Sequence, residues 1–64
     1  MAMEFVVQRL QIGDVVLLGE AEATVVREPE RTATIVRATM RVEGREDFVK
    51  EWPLDELVTV VRGP

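Results

Sequence analysis

Cysteine, histidine, serine, asparagine and tyrosine are all missing from this 64-residue chain. Without cysteine, no disulfide or thiolate metal site can brace a small fold. Without histidine, the commonest general base and metal ligand is gone too. Nucleophilic chemistry would fall to a threonine, to Lys50 or to a carboxylate. The carboxylates are scattered through turn-like stretches, no pair is spaced for acid–base work, and no glycine-rich run could cradle a phosphate. Glu20 and Glu22, with Asp14 nearby, could meet a hard cation, but they lack the glycine-bounded run of a calcium loop and read as a solvated turn. The expectation is a protein that is not an enzyme and uses no metal or cofactor.

Long apolar runs are missing as well. None approaches the ~18 residues a membrane helix needs, and Met1-Ala2-Met3-Glu4 has no basic signal-like start, so the expectation is cytoplasmic. Lysine occurs once, at Lys50, against seven arginines. With Ser and Asn absent, that bias suggests a GC-rich genome, such as that of an actinobacterium or one of its phages; a coding sequence of low GC content would refute it. The net charge of −4 argues weakly against a nucleic-acid binder.

What is present is 47% hydrophobic, in the globular range. One domain, residues 1–64, is expected, and a chain this short buries only about 60% of its unfolded surface. From Thr32 to Val42 the even positions are mostly apolar (Val36, Ala38, Met40, Val42), while the odd ones include Arg37 and Arg41. That is the period of a half-buried strand. Gly44 can take the positive φ of a turn, so Thr32–Trp52 reads as one long β-hairpin. A three-residue loop, Val42-Glu43-Gly44, would set Arg41 opposite Arg45, Arg37 opposite Val49, Ala38 opposite Phe48 and Thr34 opposite Trp52. Arg41–Asp47 and Arg37–Glu51 become diagonal opposite-charge pairs, at the cost of placing Glu46 and Lys50 on the apolar face. Eleven residues would reach ~35 Å, too long to stay flat, so the strand should curl and serve two sheets.

Around this hairpin, Glu4–Arg9 favours a strand over a helix, and Leu10–Asp14 reads as a turn in which Gly13 can take an unusual φ. Val15–Leu18 and Ala23–Glu28 follow as strands, Gly19–Glu22 as the turn between them, and Glu28–Arg31 as a charged loop in which Pro29 stops the ladder. Leu54–Leu57 should make a single 3₁₀ turn with both leucines inward, before a last strand, Val58–Arg62, and a frayed Gly63-Pro64.

Two stretches, Ile12-Gly13-Asp14-Val15-Val16 and Trp52-Pro53-Leu54-Asp55-Glu56-Leu57 ahead of a valine strand, resemble the SH3-like small barrels, including the Tudor and KOW types. The resemblance implies an all-β, five- to six-stranded barrel with a 3₁₀ turn before its last strand. It departs from KOW in having Ala23-Thr24-Val25 where a glycine would precede the valine strand. With only Phe5, Phe48 and Trp52 aromatic, it lacks both a methyl-lysine cage and a proline-peptide groove. Such barrels host many functions.

Four doublets, Val6-Val7, Val15-Val16, Val25-Val26 and Val60-Val61, each place one valine inward and one outward if extended. Val7, Val16, Val26 and Val61 are the candidate outward set, and clustered outward valines would mark an interface; scattered ones would only favour strands. Arg37, Thr39 and Arg41 could bind phosphate or carboxylate, or form a solvated face neutralised by Glu43, Asp47 and Glu51. Trp52 reads either as a core plug or as a binding aromatic at a strand end. The function expected is a non-catalytic protein-interaction or assembly module that self-associates. The alternative is a nucleic-acid-binding barrel using Arg37 and Arg41.

Overall fold

The computed structural model of the chain describes residues 2–61, and its longest strand lies where the alternation is strongest. The strands are β1 (Ala2–Val6), β2 (Val15–Leu18), β3 (Ala21–Val25), β4 (Glu30–Arg31), β5 (Ile35–Val42), β6 (Phe48–Pro53) and β7 (Leu57–Val61), and a 3₁₀ turn, Val7–Arg9, follows β1. Expectations for Arg62 and for Gly63-Pro64 lie outside the described residues.

The strands form one antiparallel sheet in the order β1-β7-β2-β3-β5-β6, with two-residue β4 continuing the line of β3 along the same edge of β5. Between Val25 opposite Met40 and Glu30 opposite Arg37, the β3–β4 side advances five residues while β5 advances three. The excess bulges out around the buried Pro29, which has no N–H to give to the ladder. The sheet curls into a half-barrel, an all-β architecture consistent with a small β-barrel. Its concave side is filled by Val7, Leu10, Val16, Ala23, Val25, Val36, Ala38, Met40, Trp52, Val58 and Val60.

The hairpin forms, with a corrected register. Arg37 lies opposite Glu51, Ala38 opposite Lys50, Thr39 opposite Val49 and Val36 opposite Trp52, a slide of two residues from the expected pairing. The connection is five residues, Glu43–Asp47, because the turn closes from Arg45 N–H to Val42 O at 3.0 Å, leaving Arg45, Glu46 and Asp47 to be accommodated. Gly44 does take a positive φ, +81°. A slide of two preserves which face is buried, so Val36, Ala38 and Met40 are core as expected. It also removes the Arg41–Arg45 opposition and gives both outward arginines of β5 a carboxylate.

The strand expected from Thr32 begins only at Ile35. Thr32 Oγ1 accepts the N–H groups of Thr34 (3.2 Å) and Ile35 (3.0 Å), and its own N–H donates to Ile35 O at 2.9 Å. A hydroxyl that competes with the ladder in this way ends the strand and folds β4 back onto β5. β5 therefore serves β6 on one edge and β3 then β4 on the other, within one sheet and not two.

Before β7, where a 3₁₀ turn is expected over Leu54–Leu57, the chain makes a single hydrogen-bonded turn one residue earlier, closed by Glu56 N–H on Pro53 O at 3.1 Å, and the 3₁₀ turn among the described residues is Val7–Arg9. Leu54 packs against the core, but Leu57 is 60% exposed. It is already the first residue of β7, where Val58 takes the inward position. Glu4–Val6 belongs to a strand as expected, whereas Val7–Arg9 does not.

Candidate functional site

Val58 and Val60 are inward, so Leu57, Thr59 and Val61 of β7 face out. Their partners on β1 are Val6, Glu4 and Ala2, and Val61 also lies opposite Val15 of β2, beyond which Leu17 continues the outward row. The outer surface of β1, β7 and β2 thus comprises Ala2, Glu4, Val6, Leu57, Thr59, Val61, Val15 and Leu17, with Glu4 its single charge among the described residues. Val6, Val15, Leu17 and Val61 remain only half-buried.

The other half of the outer surface is different. β3, β5 and β6 present Glu22, Thr24, Ile35, Arg37, Thr39, Arg41, Val49, Glu51 and Pro53, a surface that carries charges in place of a continuous apolar row. Arg37 Nε donates to Glu51 Oε2 at 2.8 Å, with Glu30 at 4.0 Å on its other side. Arg41 holds Asp47 with two bonds, Nε to Oδ1 at 2.7 Å and Nη2 to Oδ2 at 3.0 Å, a fork-on-carboxylate fit. That hydrogen bonding holds the Asp47 carboxyl below its ordinary value against an opposing desolvation, with the charges of Arg41 and Arg27 adding less to the lowering, and it raises Arg41.

Of the candidate binding residues, Arg37, Thr39 and Arg41 share one outward row of β5. Trp52 does not join them. It points inward opposite Val36, is 6% exposed, and carries the Lys50 ammonium 5.5 Å from its ring centroid. The register that puts Lys50 on the inner face thus gives its head an aromatic surface to rest on, and Trp52 is a core side chain.

The candidate interface valines divide. Val26 and Val61 face outward, Val26 as the neighbour of buried Val25 and across from outward Thr39, to whose carbonyl its N–H donates at 3.0 Å. Val7 and Val16 are fully buried and are corrected to core. Each doublet does send one valine each way, but in the first two the outward members are Val6 and Val15. Val7 goes inward because it stays in step with Met3 and Phe5, which lie opposite buried Val60 and Val58, and its N–H still bonds Glu56 O across from β7. Leu17 and Leu57, missed from sequence, complete the apolar surface; alternation in step with buried Val16 and Val58 is the signal that finds them.

Among the described residues no three acidic side chains gather where a metal ion could be held, and no helix is long and apolar enough to cross a membrane. No protein-family model, curated protein or solved structure matches the chain.

Proposed function

We propose that this chain is a non-catalytic interaction module of the cytoplasm that self-associates through the outer surface of β1, β7 and β2. The observation that carries the reading is the unequal division of the outer surface, apolar on one half and ion-paired on the other. Contiguous exposed apolar surface is where small proteins meet partners, and a short chain gains most by burying more of it. Three strands about 4.8 Å apart and five residues long make a face of roughly 14 by 16 Å, well short of the ~800 Å² per partner of a standard interface. The association is therefore weak and concentration-dependent.

Sedimentation velocity from micromolar to millimolar chain tests this. The wild type should shift to faster-sedimenting species as it is concentrated. Leu57→Lys combined with Val15→Thr should stay monomeric with an unchanged far-ultraviolet circular dichroism spectrum. A wild type that stays monomeric throughout refutes the proposal. The nucleic-acid reading on Arg37 and Arg41 is less well supported, because each guanidinium would have to leave a carboxylate that already holds it.

A further inference from the structure

We propose that the open edge of β1 accepts an extended strand from another polypeptide, one with apolar residues at alternate positions and a lysine or arginine opposite Glu4. This does not depend on self-association through the outer surface. Val7 N–H donates to Glu56 O at 2.8 Å, continuing the β1–β7 ladder. Backbone groups alternate sides along a strand, so Met3 and Phe5 bond toward β7 while the N–H and C=O groups of Ala2 and Glu4 and the N–H of Val6 point away from it, the Val6 carbonyl being taken by the 3₁₀ turn that follows.

That edge borders a cleft of about 660 Å³, lined by Met3, Glu4 and Phe5 on β1 and by Leu10, Glu28 and Arg31 among the residues across from it. Consecutive strand residues face opposite ways, so a cleft that touches all three meets the strand at its edge and not on one face. Met3 points to the concave side yet is 49% exposed, and Phe5 is only half-buried: the inner side of β1 has an apolar place for a neighbour.

The opposite edge of the sheet is guarded. β6 carries the inward-pointing Lys50 and ends in Pro53, both of which deter strand addition. A second copy of β1 is a poor guest, because antiparallel pairing with full overlap would set Glu4 directly against its own counterpart, and like charges directly opposite destabilise a ladder. A cation at that position turns the repulsion into attraction. Main-chain bonds then supply the affinity and side-chain alternation the selectivity, the mode of β-strand addition.

The test is a titration of the ¹⁵N-labelled chain with acetyl-Val-Lys-Val-Lys-Val-amide, using acetyl-Val-Glu-Val-Glu-Val-amide as the reversed-charge probe. The lysine peptide should shift the Glu4 and Val6 amides and slow their hydrogen exchange. The glutamate peptide should bind about tenfold more weakly, and Glu4→Lys should reverse that order. Glu4→Pro, which removes an outward N–H and none of the β1–β7 bonds, should keep a dispersed spectrum and lose binding. If that variant unfolds, Glu4→Lys decides alone. The proposal is overturned by unmoved Glu4 and Val6 amides at millimolar peptide, by equal binding of the two peptides, or by protection of this edge on concentrating the chain without peptide, which would make a second copy the guest.

Discussion

Met40 and Asp47 mark the two extremes of what single side chains do here. Met40 is completely buried, at the crossing of β3, β5 and β6. Met40→Ala should cost about 2–5 kcal/mol, against the ~3–5 kcal/mol that a core of this size supplies. The variant should therefore be largely unfolded at 25 °C, read as loss of amide dispersion. Asp47 is exposed, and its effect is a matter of pH. Its carboxyl titrates lower folded than unfolded, so its pairing with Arg41 adds stability above the ordinary aspartate range, and that contribution is lost as pH falls through the folded value. Asp47→Asn should flatten the acid side of a plot of urea midpoint against pH; an unchanged slope would show that the pair contributes nothing. The Arg41–Asp47 and Arg37–Glu51 pairs were legible from residue order, since both survive a slide of two. Whether Trp52 was core or site was not, because that depends on the depth of the curl and on Lys50, neither of which alternation encodes.

At the scale of elements, turns decide register. Gly44 sits at φ +81°, and a Cβ there would meet nothing within 4 Å, so the cost of Gly44→Ala is one of backbone conformation alone. That cost should be about 1–2 kcal/mol in urea unfolding at constant m value; a neutral substitution would mean the turn adopts another geometry without loss. β5 and its buried face could be read from the period of two, which survives any even slip. The loop length could not, since Gly44 permits a positive φ in connections of several lengths. Thr32–Thr34 shows the same limit from the other side: three strand-compatible residues were diverted by one hydroxyl that found two backbone donors. The phase of Val6-Val7 and Val15-Val16 was hidden for a related reason. A doublet carries no sign, and only its partners across the ladder supply one.

At the scale of the whole molecule, the outer surface divides into an apolar half on β1, β7 and β2 and an ion-paired half on β3, β5 and β6. The all-β class was readable from composition and alternation, while the apolar half emerges only when β7 is placed between β1 and β2, a pairing between the two ends of the chain. The most direct measurement follows amide chemical shifts of the ¹⁵N-labelled chain as it is diluted from millimolar to micromolar concentration. The resonances that move should cluster at Val15, Leu17, Leu57, Thr59 and Val61, with the Arg37–Arg41 row still. Shifts confined to the hairpin face, or none at all, would contradict self-association through the apolar half.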